Sequence, residues 1–258
     1  MIDELEPTSQ LDNIDQALAK FTPTSLSEID SVSLMNRIDT KYVSNEVLLA
    51  QLLEMVRADY KVLEVDGFRR SPYETLYFDT LHRDCYLDHH NGRATRLKFR
   101  QRRYMSSGTA FFEVKQKTNR GRTIKRRVPI ASIEQTLDDA SKDLVLQTRS
   151  SGKTLLPQIW TLFSRITLVG LNIAERVTID TELSFSDEQQ DRALEGVTII
   201  EVKQERNLRN SPIRQCLRQL RVPPMRISKY CIGSALLNPT LKRNRFKRKL
   251  RVVGSHTS

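Results

Sequence analysis

The residues best suited to chemistry lie in Arg96-Leu97-Lys98-Phe99-Arg100-Gln101-Arg102-Arg103-Tyr104. In a β-strand alternate side chains share a face, so Arg96, Lys98, Arg100 and Arg102 form one cationic row, neighbours roughly 6–7 Å apart. Leu97 and Phe99 point the other way and need apolar cover. A row of one sign repels itself unless a polyanion lies along it. Guanidinium groups suit bidentate contact with phosphate oxygens, and ammonium groups act beside them as point charges.

The device recurs along the chain. Arg37, Asp39 and Lys41 share a face, as do Glu113, Lys115 and Lys117 against Phe112 and Val114. Lys125 and Arg127 share another, and Arg165 stands between Phe163 and Thr167. Arg176, Thr178, Asp180 and Glu182 oppose Val177 and Ile179, while Glu201 and Lys203 oppose Ile200 and Val202. Burying so many unpaired charges costs several kcal/mol per ion. The pattern therefore predicts a hydrated interior filled by phosphate-like anions. The interspersed carboxylates would oppose a bare polyanion unless they hold Mg²⁺ or Mn²⁺ bridging phosphate oxygens. His82, His89 and His90 cluster in the turn after Asp79 and read as surface residues.

Several elements must position these residues. Ser25 offers a cap for a short helix through about Met35. Strands are expected at 37–43, 60–65, 73–79, 94–104, 109–117, 122–128, within 156–168, and at 175–183 and 197–203. Helical periodicity occupies 44–56, 130–146, 212–220 and 229–237. Charges on the inward face of several strands suggest an α+β fold: a closed antiparallel eight-stranded β-barrel, or tunnel, with flanking helices. A polar N-terminal tail (1–25), loose or forming a short helix, precedes this single domain (26–240), and a basic C-terminal tail (241–258) follows it.

The totals agree with an anionic partner. The 258 residues carry 42 Lys+Arg against 31 Asp+Glu, a net charge of +11, with pI near 9.7 and mean hydropathy of -0.47. Cys85, Cys216 and Cys231 are too scattered for a disulfide framework or a zinc site, so reduced thiols are expected. No signal sequence or apolar run of membrane-spanning length occurs, which points to the cytoplasm. The run Lys242 to Arg251 reads either as a solvated tail or as a tether to an anionic membrane surface or nucleic acid.

The ordered set Arg37-x-Asp39-x-Lys41-Tyr42, Leu76-Tyr77-Phe78-Asp79-Thr80, Lys98-x-Arg100-x-Arg102-x-Tyr104, Glu113-Val114-Lys115, Lys125-Arg126-Arg127, Arg165, Arg176-Val177-Thr178-Ile179-Asp180, Ile200-Glu201-Val202-Lys203 and Ser228-Lys229-Tyr230 resembles the VTC-type polyphosphate polymerase domain of the triphosphate tunnel metalloenzyme superfamily. That resemblance implies an eight-stranded tunnel that uses ATP with Mn²⁺ or Mg²⁺ to extend polyphosphate. By motif it implies catalytic roles for Lys41, Arg100, Arg102, Lys115 and Lys229, and substrate-binding roles for Lys98, Lys125, Arg165, Arg176 and Arg226. Glu201 matches the metal-binding glutamate. Arg226 stands where a lysine is usual, and Asp39 where the wider superfamily often has Glu. Two other readings remain: a tunnel-type triphosphatase, and a non-catalytic polyanion or nucleic-acid binder. The triphosphatase reading expects a richer carboxylate set at the first strand, where this chain has Arg37. A base-stacking binder needs aromatics among the basic residues, whereas Phe99, Phe112 and Tyr77 are expected on or near the apolar faces, so no specific nucleic acid is expected.

Overall fold

The computed structural model describes residues 10–30, 37–206, 208 and 210–256. In chain order the elements are α1 (Gln10–Ala19), β1 (Pro23–Thr24), α2 (Leu26–Asp30), β2 (Arg37–Asn45), α3 (Glu46–Val56), β3 (Tyr60–Leu63), β4 (Ser71–Asp79), α4 (Asp84–His90), β5 (Arg96–Tyr104), β6 (Ala110–Lys117) and β7 (Thr123–Ile130). They continue with α5 (Asp139–Leu146), β8 (Leu156–Gly170), β9 (Glu175–Ser186), β10 (Asp191–Leu194), β11 (Val197–Glu205), α6 (Pro212–Gln219), α7 (Lys229–Leu237) and α8 (Lys247–Gly254). The fold is mixed α+β around one large sheet with main order β2-β11-β9-β8-β4-β5-β6-β7. Adjacent strands on that path are antiparallel.

The expected barrel is not closed by strand pairing: among the described residues, β2 and β7 end the path and do not pair with each other. The free edge of β2 is taken instead by the segment entering α7. Tyr42 bridges Pro224, and the Met225 amide donates to the Lys41 carbonyl at 2.7 Å. The sheet nevertheless curls on itself. Lys98 on β5 donates to Ser228 Oγ at 2.6 Å, although β5 and β2 stand five strand spacings apart on the path. In a flat sheet that separation would be about 24 Å.

Each wall of the curl has its own cover. Alternation turns Val177, Ile179, Ile200 and Val202 outward, where they meet Leu49, Leu52, Leu53 and Val56 of α3, Ile213 and Leu217 of α6, and Ile14, Ala17 and Leu18 of α1. The spacing on α1 and α3 is that of a helix with one apolar face, and Asn45 caps α3 by accepting from the Leu48 amide at 2.9 Å. On the opposite wall Leu97, Phe99, Phe112 and Val114 pack beneath Leu144 and Val145 of α5. One end of the interior is filled by α7, which after Lys229 is buried along almost its whole length. Its Tyr230, Cys231, Ile232 and Ala235 pack against Val43, Tyr77, Ile159, Leu183, Phe185 and Ile199 from the inner strand faces.

Three segments depart from the sequence reading. The N-terminal stretch forms α1, whose apolar side joins the core. The helix expected over 130–146 covers only Asp139–Leu146. Asp138 caps it by accepting from the Ser141 amide at 2.9 Å, and Gln101 Oε1 holds the preceding loop through the Glu134 amide at 2.7 Å. The C-terminal run is α8, docked through buried Phe246 and Val253. The helix after Ser25 is seen to Asp30, its expected continuation lying outside the described residues. No described helix is long and apolar enough to cross a membrane, and all three cysteines are free thiols.

Candidate functional site

The strand ladder puts the inward rows in register. Arg100 lies opposite Glu113 and Lys98 opposite Lys115, which in turn faces Lys125. Lys41 lies opposite Glu201 and Arg165 opposite Asp180. Asp39 lies opposite Lys203, and three further inward carboxylates are each held between two cations. Glu113 Oε2 accepts from Arg100 Nε at 2.7 Å, and its other oxygen is paired with Lys125. Asp180 receives Arg165 as a fork, Nε to Oδ1 at 2.6 Å and Nη2 to Oδ2 at 2.9 Å, and also pairs with Lys229. Glu201 stands 3.5 Å from Lys41 and 3.1 Å from Lys203.

Lys98, Arg102 and Lys115 remain. Among the described residues none of them forms an ion pair with a carboxylate. Arg102 is 5% exposed, gives Nε to Thr75 Oγ1 at 3.1 Å, and lies over the rings of Tyr73 and Phe163. Those two rings stack at 5.2 Å, and Arg165 and Lys229 also lie over Phe163. The aromatic pair thus separates crowded cations with surface that attracts positive charge.

Ionisation follows from this crowding. Burial, then Lys41 and Lys115, push Lys98 down to about 8. Burial and neighbouring Arg165 and Lys41 push Lys229 down to about 8 despite Asp180. Burial, Arg100 and Arg165 lower Arg102 to about 10. Burial would raise the carboxyls, but the cations prevail. Arg100, Arg102 and Lys125 hold Glu113 at about 2, and Lys41, Lys203 and Lys115 hold Glu201 well below the ordinary carboxylate range. Arg165 and Lys229 likewise depress Asp180. Burial also opposes ionisation of Tyr77, yet Arg100, Arg102 and Lys98 draw its phenol down to about 8. The interior is therefore a positive cup with fixed negative clamps, suited to an extended, multiply charged anion.

The match that decides the family is the VTC domain, over residues 36–238. The chain belongs to the VTC domain family. Among solved structures, a putative adenylate cyclase from Vibrio parahaemolyticus is 14% identical with a TM-score of 0.41, covering 76% of this chain and 96% of that one. PH1819 from Pyrococcus horikoshii OT3 is 16% identical with a TM-score of 0.42, covering 78% and 98%. A putative adenylyl cyclase from Hippeastrum, HpAC1, described as having a dominant triphosphatase activity, is 13% identical with a TM-score of 0.42, covering 77% and 94%. At these scores the likeness carries nothing about activity. Comparison with curated proteins yields no significant match.

Within this VTC domain the fold gathers Lys41, Lys98, Arg100, Arg102, Lys115, Lys125, Arg165, Lys229 and Glu201 around one interior. Arg176 continues the β9 row opposite Lys203. Arg226 is exposed on the segment sealing β2, where it acts on Lys117 and Lys249. Three expectations are corrected. Glu182 leaves the inner face because a bulge between Leu162 and Ser164 puts two β9 residues opposite one on β8. With φ of 52° it turns out to Arg70 at 3.0 Å, and the slip brings Leu183 and Phe185 into the plug. Tyr77 faces inward, its hydroxyl 3.4 Å from Arg100 Nη1. His90 is 2% exposed, and His89 is driven down to about 2 by burial and by Lys98 and Arg96; both pack beside Phe246. Lys203 is an inner residue legible from its period-two relation to Glu201. Phe163 was legible in the same way from Arg165, whereas Ser228 gave no such signal.

Among the described residues no group of three or more His, Cys, Asp or Glu converges to hold a metal. Glu201, ionised and inward, fits a hard cation that takes its remaining ligands from phosphate oxygens and water, a common arrangement for Mg²⁺.

Proposed function

We propose that this VTC domain is an ATP-dependent polyphosphate polymerase, transferring the ATP γ-phosphoryl group to the end of a growing polyphosphate chain. The observation that carries the reading is the surplus of inward charge. Glu113, Asp180 and Glu201 are each satisfied by two cations, and Lys98, Arg102 and Lys115 are left without a carboxylate partner. Such an interior lacks a counter-anion, and linear phosphate supplies one oxyanion after another.

The terminal oxyanion of the chain attacks the γ-phosphorus, the bond to the β,γ-bridging oxygen breaks, and ADP leaves with that electron pair. The acceptor is already deprotonated, so no general base is required. Positioning and charge neutralisation do most of the work in phosphoryl transfer. In this reading Arg100 and Arg102 orient the reacting phosphate while Lys41, Lys115 and Lys229 neutralise charge that grows at the transition state. Lys98, Lys125, Arg165 and Arg176 hold the flanking phosphates, with Arg226 at the rim. Mn²⁺ or Mg²⁺, when held by Glu201 and phosphate oxygens, would add Lewis-acid neutralisation.

Purified protein incubated with ATP and Mn²⁺ is expected to yield ADP and phosphate chains that lengthen with time. Orthophosphate without chain growth would replace this reading with a triphosphatase. Salt-sensitive binding without nucleotide turnover would replace it with a polyanion binder.

A further inference from the structure

The strongest unassigned feature is the basic segment 242–254, which lies beyond the family match ending at 238. It is held firmly in place. Phe246 is 2% and Val253 1% exposed, and Phe246 packs edge-on against Tyr86 at 5.8 Å and His90 at 5.2 Å. Tyr86 Oη donates to the Lys242 carbonyl at 3.1 Å, and Arg245 Nη1 donates to the Asn91 carbonyl at 2.6 Å. Its charges are unbalanced. Lys242, Arg243, Lys247, Arg248 and Arg251 are exposed, and among the described residues none of them, nor Lys249, enters an ion pair.

Two observations connect this segment to the interior. Arg96 stands two residues before Lys98 on the same face, at the start of β5. Lys249 is lowered by burial and then by Arg226 and Arg96, and Lys117 by burial and the same two arginines. Arg96 also lies opposite Lys117 in the β5–β6 ladder, so Arg96, Lys117, Arg226 and Lys249 form a cationic group between the interior row and α8. The apolar side of α8 is already spent on the body of the protein, so it has no face to insert into a bilayer, as an interfacial helix must.

We propose that α8 and the adjoining Lys242–Arg243 form a second polyanion contact, receiving the part of a long polyphosphate chain that extends past Arg96 beyond the curl. This rests on the tunnel being a phosphate site. It makes the protein discriminate by chain length: a long chain reaches both places, tripolyphosphate only the interior. α8 spans about 12 Å, enough to add several charge contacts.

The test compares the unaltered protein with a Lys247→Gln, Arg248→Gln, Arg251→Gln triple variant by calorimetric titration with tripolyphosphate and with polyphosphate of about a hundred units. Removing three contacts should weaken long-chain binding about tenfold or more at low salt and flatten its log-log salt dependence by about 2, leaving tripolyphosphate affinity unchanged. A Lys247→Arg variant of otherwise unaltered sequence should bind both normally. Equal changes for the two ligands, or none for the long chain, overturn the proposal. Phosphatidylserine vesicles that need these residues while long-chain binding does not would assign the surface to membranes and overturn it as well. If the unaltered protein fails to bind tripolyphosphate, the fault lies with the tunnel reading itself; intact tripolyphosphate binding without a long-chain effect of the variant refutes α8 alone.

Discussion

Replacing Asp180 by asparagine tests whether the inner carboxylates serve as built-in counter-ions. Asp180 is 3% exposed and takes a bidentate fork from Arg165 as well as the Lys229 ammonium. Asparagine keeps the shape and removes the charge, stranding two cations in a confined space. Breaking a buried ion pair from one side costs about 3–5 kcal/mol. Lys229, already pushed down to about 8, can shed its proton, which places the loss near the lower figure. At about 2–4 °C per kcal/mol for a chain of this size, Tm should fall by about 6–12 °C at neutral pH and low salt. The stranded cations should then welcome an external anion. At equal tripolyphosphate concentration the variant should recover more Tm than the unaltered protein gains, since stabilisation grows as RT ln(1 + [L]/Kd). Adding Lys229→Met to the variant should restore part of the loss without ligand. An unchanged Tm, or a smaller ligand-induced gain in Asp180→Asn, would refute the reasoning.

Other outcomes follow from the same geometry. Glu201→Gln should abolish most ATP turnover while leaving the circular dichroism spectrum unchanged; full activity would remove Glu201 from the metal role. Arg100→Ala should lower kcat/KM by about 100-fold or more, and Arg103→Ala by less than about threefold. Arg100 pairs inward with Glu113 whereas Arg103 pairs with Glu74 on the other face, and the loss of a charged contact is worth about 2–4 kcal/mol at such sites; equal losses would show that the register is misread. Above pH of about 7, where terminal phosphates are ionised, tripolyphosphate affinity should hold to about pH 8 and fall beyond it. Lys98 and Lys229 titrate near there in the free protein, and a bound anion raises both, so protons are taken up on binding. A rise in affinity across that range would contradict this sign. Gly233→Ala should destabilise the plug, because the added Cβ would stand 2.4 Å from Phe185 Cδ1 and 2.9 Å from Ile159 Cδ1; thermal unfolding at unchanged Tm would mean that α7 can shift freely.

Much of the site was legible because period-two alternation is local. Arg96 to Tyr104 announces its cationic face from residue types alone, and the structure puts Leu97 and Phe99 under α5 as alternation requires. The same rule failed where the backbone leaves strict alternation. At Glu182 the bulge inverts which residues face inward, and no residue type there signals the extra position. The C-terminal run was equally ambiguous, since a basic helix and a solvated basic tail have the same composition; the cover offered to Phe246 by Tyr86 and His90 decides between them.

From sequence by itself came the strands, the charged rows and the family resemblance, all properties carried by neighbouring residues and their order. Only the tertiary structure could show that the sheet curls without closing through β2 and β7, and that Pro224 and Met225 seal the free edge of β2. It alone reveals that three carboxylates each lie between two cations, because every one of those clamps joins a carboxylate to at least one residue on another strand or on α7. Coulomb energy depends on distance through space, and chain order does not specify that distance until the sheet has curled.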